Sequence, residues 1–231
     1  MQMILDHLDI PNSPLAVVSK FGQTVDCSIL AQKLSLPPFA KPVAASISNG
    51  ITPSNKFLRR EDLKPNIEDI QTEFKDQEIL LEEFLAGREF TVAILGTGDN
   101  ARVLGTLEIT WYNPEAKTRE DISIDFATSS SKSGRGPGHD MGHTHVDPED
   151  PLVKKVAEVG LSASKASNCR HSGRVDIRLK TEEDDSAPCV LEACLEFFVA
   201  GVRANLGSRR IRYLVYDQTT HYLPGLRETT E

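Results

Sequence analysis

Leu80-Leu81-Glu82-Glu83-Phe84-Leu85-Ala86-Gly87-Arg88-Glu89-Phe90-Thr91-Val92-Ala93-Ile94-Leu95-Gly96 reads as two strands joined by a short turn. Glu78 to Glu83 is strand-like, Phe84 to Arg88 turns, and Glu89 to Gly96 is a second strand rich in apolar and β-branched residues. Gly98-Asp99-Asn100 supplies a hairpin turn, and Val103 to Trp111 returns as a third strand. The glycines Gly96, Gly98 and Gly105 are not a dinucleotide fingerprint. They lie between two strands, whereas that motif needs a strand followed by a helix.

Upstream, residues 1–10 read as a helix end stopped before Pro11, and Leu15-Ala16-Val17-Val18 as a short strand. Residues 24–34 carry Val25, Ile29, Leu30 and Leu34 at helical spacing until Pro37-Pro38 breaks the chain. Phe39 to Val43 is a strand that runs into a loop of small residues from Ala44 to Asn55. Residues 61–76 predict a helix with Leu63, Ile67, Ile70 and Phe74 on one stripe and Pro65 tolerated in its first turn. Downstream, residues 113–150 are polar and are expected to form one long loop. A helix follows over Pro151 to Ala166, with Val153, Val156, Ala157, Leu161 and Ala163 on its apolar face. Gly173 to Leu179 alternates strictly, the mark of a strand with one buried face. Thr181 to Ala187 is an acidic turn, and Val190-Leu191-Glu192-Ala193 is the partner strand. Antiparallel hairpins with helices on one face predict an α+β domain.

The 231 residues suffice for one domain with a core or for two small lobes. A net charge of −8 argues against a nucleic-acid partner, whose affinity rests on dense Lys and Arg contacts. No apolar run approaches the roughly 20 residues a membrane helix needs, and the start lacks a signal-peptide pattern. The cysteines Cys27, Cys169, Cys189 and Cys194 form no CxxC pair. They read as small buried thiols in a reducing compartment, which predicts a cytoplasmic protein.

Four pieces carry chemistry. Lys41-Pro42 ends a strand beside a loop of small residues, a means of holding phosphate on backbone N–H groups. Glu82-Glu83-Phe84-Leu85, with Glu89, places carboxylates and backbone groups where a ribose or an adenine amine can bond. Arg174-Val175-Asp176 is the third piece, and Glu192 on the partner strand is the fourth. Two carboxylates that meet repel unless a cation or a proton joins them. Magnesium bridging phosphate oxygens is the usual partner of such a pair. Taken singly, each Lys or Glu reads equally as a solvated surface residue.

In this order the pieces resemble the ATP-grasp ligases, and specifically the D-alanine–D-alanine ligase family. Leu80 to Gly96 is similar to that family's nucleotide segment almost letter for letter. Phe39-Ala40-Lys41-Pro42 resembles its phosphate-binding strand. Gly173-Arg174-Val175-Asp176 and Val190-Leu191-Glu192-Ala193 resemble its magnesium-bearing hairpin. Ile10-Pro11-Asn12-Ser13-Pro14 is similar to the opening of its central domain. The likeness covers residues 8 to 193 or so. It implies an ATP-grasp fold of two lobes with the nucleotide between them: a small lobe over 1–86, a large lobe over 87–193, and an atypical tail over 194–231. It implies that Lys41 and Lys117 contact phosphates, together with Ser48 of the loop. It further implies that Glu82 and the backbone of Glu83 and Leu85 bind adenine, and that Glu89 binds the ribose. Arg174 would stabilise the acyl phosphate and its transition state, and Asp176 and Glu192 would hold magnesium, with manganese as a substitute.

Several positions depart from the family pattern. The likeness begins at the family's central domain, so the preceding domain that helps bind the first amino acid is expected to be missing, and Gln2 stands where a further nucleotide-contacting Lys is expected. The phosphate loop reads Ala44-Ala45-Ser46-Ile47-Ser48-Asn49-Gly50, without the usual acid. Two residues after Glu192 the family carries an Asn metal ligand, and this chain has Cys194. The Leu223-Pro224-Gly225-Leu226-Arg227 run comes about thirty residues later than the family's substrate loop. These departures weaken catalysis more than nucleotide binding, because phosphoryl transfer depends on placed metal charge. The resemblance therefore implies ATP- and magnesium-dependent carboxylate–amine ligation through an acyl phosphate, with a small amino acid as substrate. The alternative is a catalytically inactive relic that binds nucleotide only, or nothing. Separately, His139-Asp140-Met141-Gly142-His143-Thr144-His145-Val146-Asp147 offers donors for zinc, but without a helical zinc spacing. Gly136, Gly138 and Gly142 point instead to a solvated, flexible loop.

Overall fold

Two apolar sheet faces, each covered by one helix, organise the chain. The computed structural model describes residues 1–18, 34, 37–43, 50–75, 77–112, 125–128, 140–183, 185–195, 205–206 and 209–210. They fall into two compact units, one comprising Met1–Asn12, Ala86–Ile109 and His143–Glu231, the other Ser13–Leu85 and Thr110–Gly142. The units interleave along the chain. The reason is visible at the N-terminus. Leu5 of helix α1 (Gln2–His7) is fully buried in one core with Phe90 and Val190, and the Val190 N–H donates to the Pro11 carbonyl at 2.9 Å.

The larger sheet has five strands. Its strands are β4 (Glu89–Leu95), β5 (Arg102–Tyr112), β6 (Asp140–His145), β7 (Ser172–Leu179) and β8 (Pro188–Leu195), in the order β6-β5-β4-β7-β8. β4 runs antiparallel to both β5 and β7, and β7 is antiparallel to β8. Phe90, Val92, Ile94, Val175 and Ile177 alternate onto one face, where they pack with Val156 and Ala163 of helix α3 (Pro151–Ala166). The helix has the bounds its periodicity predicts. The Asp150 carboxylate caps it by accepting from the Leu152 N–H at 2.8 Å, and Pro151 occupies the first turn, where its missing N–H does no harm.

The second unit carries a three-stranded antiparallel sheet of β1 (Leu15–Val18), β2 (Pro38–Pro42) and β3 (Ile79–Glu83), with β3 central. Ala40, Ile79 and Leu81 face helix α2 (Leu63–Glu73), whose Leu63, Ile67 and Ile70 close that core with Phe57. The expected stripe on α2 is therefore the buried one. Buried Asn55 ties the following loop to β2, donating to the carbonyls of Ala40 at 2.7 Å and Gly50 at 3.0 Å.

One expectation is overturned. Residues 113–150 are not a single loop, since Asp140–His145 forms edge strand β6 beside β5. The segment carries no apolar alternation in its sequence, because an edge strand held by pairing on one side does not require it. Gly142 allows the close pairing: a Cβ there would lie 2.7 Å from the Thr110 hydroxyl oxygen. The helix expected over 24–34 lies outside the described residues, apart from buried Leu34. Of the tail, Cys194 and Leu195 complete β8, and the rest of the described part is a two-stranded pairing of β9 (Asn205–Leu206) with β10 (Arg209–Arg210). No helix of the described residues is long and apolar enough to cross a membrane.

Candidate active site

The sheet faces turned away from the helices carry the charged residues. In the first unit, the uninterrupted β4–β7 register sets Glu89 opposite Arg178, Thr91 opposite Asp176 and Ala93 opposite Arg174. Directly opposed residues share a face. Along β7 this puts Arg174, Asp176 and Arg178 together, on the side opposite Val175 and Ile177. On the next strand Asp176 is the register partner of Glu192, beside a bulge between Asp176 and Ile177. The structure thus brings the two expected metal-binding carboxylates into direct opposition. Asp176 is buried and Glu192 exposed, so one anchors in the sheet while the other reaches solvent.

Arg174 lies with them. Its Nη2 donates to Asp176 Oδ2 at 2.9 Å, and this pair is mostly sheltered from water. Glu89 is held by a residue that the sequence reading passed over. Arg178 Nη1 stands 3.5 Å from Glu89 Oε2, both side chains being almost fully buried, and Arg178 Nε donates to the Gly87 carbonyl at 2.9 Å. The alternation that singles out Asp176 points to Arg178 with equal force, since the two are separated by one residue in the same strand. His143 of β6 lies in the electrostatic reach of Arg174 and Asp176. Loss of water around the ring holds its pKa below the ordinary 6.5, Arg174 adds to that effect, and Asp176 opposes it.

In the second unit, Lys41 of β2 and Glu82 of β3 share the face opposite α2. Lys41 Nζ lies 2.7 Å from Glu82 Oε1, and the Glu82 carboxylate is almost wholly buried. Phe39, Phe84 and Phe126 form an aromatic cluster beside them, with Phe126 edge-on to both others. Lys56 Nζ sits 3.8 Å from the Phe84 ring centre and 3.3 Å from Asp125 Oδ1. No sequence signal announces Lys56, Asp125 or Phe126, which lie far apart along the chain. Glu83 is fixed through its backbone: its N–H donates to the Pro14 carbonyl at 3.0 Å, and its carbonyl accepts from Ser13 Oγ at 2.6 Å. That carbonyl keeps a second lone pair for an amine. Leu85 is buried at the end of this segment. Ser48 and Lys117 lie outside the described residues, as does His139. Among the described residues no three His, Cys, Asp or Glu side chains group as a metal site. His143 and His145 stand on edge strand β6, and the flexible loop expected around them is replaced by that strand.

The family profile described as D-ala D-ala ligase C-terminus matches residues 4–187. The chain belongs to this family. Among curated relatives of the D-ala D-ala ligase type, the D-alanine–D-alanine ligase of Polaromonas sp. is 34% identical over 177 residues, covering 77% of this chain and 47% of the relative. That of Bordetella petrii is 32% identical over 165 residues, covering 70% of this chain and 43% of the relative. A crystal structure of the Bacillus anthracis D-alanine–D-alanine ligase complexed with ATP superposes with a TM-score of 0.58 at 19% identity, covering 84% of this chain and 52% of that one. This last likeness shows the shared α+β ATP-grasp fold. The chain spans about half the length of the curated relatives it matches.

Proposed function

We propose that the chain supports ATP- and magnesium-dependent carboxylate–amine ligation of the D-alanine–D-alanine ligase type, with a small amino acid as substrate. In this reading Glu82, the Glu83 carbonyl and the Leu85 backbone recognise adenine, and Glu89 holds the ribose hydroxyls. Lys41, Ser48 and Lys117 contact the phosphates. Asp176 and Glu192 hold magnesium, which supplies fixed positive charge beside the triphosphate. The pair suits that ion: both side chains offer hard oxygen donors, and the two residues are register partners on adjacent strands. Arg174 meets the charge that develops on the transferred group.

The reaction balances in two steps. A substrate carboxylate oxygen attacks the γ-phosphorus, the bond to the β-phosphate oxygen breaks, and ADP leaves. An amine nitrogen then attacks the acyl carbon, phosphate departs with the bonding electrons, and the amine loses a proton. The opposition of Asp176 and Glu192 carries this reading, with Lys41, Glu82, Glu89 and Arg174 all retained in family order. For that reason the relic that binds nucleotide only, or nothing, is the weaker alternative. A cytoplasmic setting fits, since ATP is available there and the buried Cys169 and Cys189 carry no disulfide.

Thermal melting of the whole chain with Mg-ATP tests the binding half. Ligand that binds only the folded state raises the midpoint. Mg-ATP should raise it, and Glu89→Ala should abolish the rise. No rise at millimolar Mg-ATP sinks the proposal. ADP release that depends on D-alanine or another small amino acid tests the chemistry.

A further inference from the structure

Three opposed pairs line the charged face between β4 and β7, and the middle one holds a threonine whose buried hydroxyl has no partner. Glu89 and Arg178 are ion-paired, and Arg174 reaches along its own strand to Asp176. Thr91 is 4% exposed, and its hydroxyl oxygen is buried with no hydrogen-bond partner. A buried hydroxyl in that state is destabilising, and valine would fill the same space without the penalty. A hydroxyl kept there implies a partner in another state of the molecule.

The neighbours identify that partner. Directly across from Thr91 stand Leu107 on β5 and Asp176 on β7, and its same-strand neighbours on this face are Glu89 and Ala93. Glu89 faces Arg178, which leaves the Asp176 carboxylate as the acceptor within cross-strand reach, Cβ atoms of opposed residues being about 5 Å apart. In the present arrangement Arg174 holds one oxygen of that carboxylate at 2.9 Å. The roles proposed above are incompatible with this contact. Arg174 cannot follow the phosphoryl group while it holds Asp176, and Asp176 cannot offer that oxygen to a cation while it accepts from Arg174. Arrival of the nucleotide and its metal must break the pair. The carboxylate then loses an N–H donor at the moment its direction matters most, and carboxylates that bind metals are themselves oriented by hydrogen bonds.

We propose that Thr91 is a positioning residue: its hydroxyl donates to Asp176 once Arg174 has left, and fixes the carboxylate in the direction that takes magnesium. The proposal rests on the functional reading above, because it needs Asp176 to bind the metal. Its effect on Asp176 is indirect and distinct from nucleotide contact, so metal-dependent and metal-free binding should separate.

Calorimetric titration of the whole chain with ATP, once with magnesium and once with excess chelator, reads that separation. Thr91→Val should weaken Mg-ATP binding roughly ten-fold, the loss of one hydrogen bond to a charged group, and leave chelated ATP within about two-fold. Thr91→Ser should restore the magnesium-dependent part. Without nucleotide, Thr91→Val should melt at the same temperature as the wild type or higher, because it removes an unsatisfied group. Should the valine variant fail to fold, Thr91→Ala must show the same magnesium-specific loss. Equal affinity of wild type and Thr91→Val for Mg-ATP overturns the proposal, and so does an equal loss with and without metal. A wild type that binds no Mg-ATP at all overturns the functional reading, and this inference with it.

Discussion

Lys41 Nζ lies 2.7 Å from Glu82 Oε1, a diagonal pair across β2 and β3 in which the carboxylate is buried and the ammonium still touches solvent. The two residues were expected to serve different ends of a nucleotide, Lys41 the phosphates and Glu82 the adenine. In the structure they serve each other. The same holds in the first unit, where Arg174 and Asp176 are paired. In each unit a bound ligand would have to exchange those partners for its own.

Removing one partner of the Lys41–Glu82 pair should therefore hurt folding as well as binding. Lys41→Met strands a buried carboxylate, and a loss of about 1–3 kcal/mol in the urea-unfolding free energy is expected. Lys41→Met combined with Glu82→Gln should recover part of that loss while leaving nucleotide affinity low. If the double variant is no more stable than Lys41→Met, the coupling between the two residues is absent.

Arg178 should prove essential although it has no proposed contact with ligand. It holds both Glu89 and the Gly87 carbonyl from a fully sheltered position. Arg178→Met leaves the Glu89 carboxylate buried beside an apolar chain, a change that typically removes about 3–5 kcal/mol. Arg178→Lys should fail as well, because a single ammonium lacks the planar fork that reaches two acceptors at once. Chemical denaturation of the three proteins checks this. Wild-type stability in Arg178→Lys would show that the charge matters and the fork does not.

Much of this is legible in the sequence. Helix α3, helix α2 and strands β3, β4, β7 and β8 follow from periodicity because each buries one face against a core of its own unit. Strand β6 was not legible, since Asp140–His145 is an edge held by pairing with β5 and carries no apolar alternation. Asp176 and Glu192 were found through family likeness, and their opposition follows from the hairpin that joins their strands. Arg178 was legible by the same alternation and was overlooked because no family motif names it. The Lys56–Asp125 pair and the packing of Phe126 on Phe39 and Phe84 depend on chain return over long separations, which local sequence does not encode.

His143 gives the chain an acid-sensitive term whose sign follows from its surroundings. Loss of water and then Arg174 disfavour the proton in the folded state, so the folded pKa lies below the unfolded value of 6.5, with Asp176 only partly compensating. Above that value both states are neutral and the residue contributes nothing to the pH dependence. As pH falls through about 6.5 the unfolded chain takes the proton first, and folded stability declines. His143→Asn removes the term. The stability difference between variant and wild type should be flat from about pH 8 to about pH 7 and shift in the variant's favour toward about pH 5. Urea melts across that range read it directly. A constant difference would mean that the folded state tolerates the charged ring.

Cys194 sets the last expectation. It follows Glu192 by two positions on β8, and its backbone is in register with Arg174. Family likeness places an Asn at this position as a metal ligand. Magnesium takes hard oxygen donors and binds thiols poorly, whereas manganese tolerates mixed donors and cadmium prefers sulfur. If residue 194 belongs to the metal site, the wild type should bind Mn-ATP or Cd-ATP more tightly than Mg-ATP. Cys194→Asn should reverse that order and raise Mg-ATP affinity about ten-fold, equivalent to about 1.4 kcal/mol. The proposed adenine and ribose contacts lie on other strands, so chelated ATP should bind both proteins alike. Thermal melting with each metal separates the outcomes. An unchanged metal order in Cys194→Asn would place residue 194 outside the metal site and leave Asp176 and Glu192 to hold the ion without it.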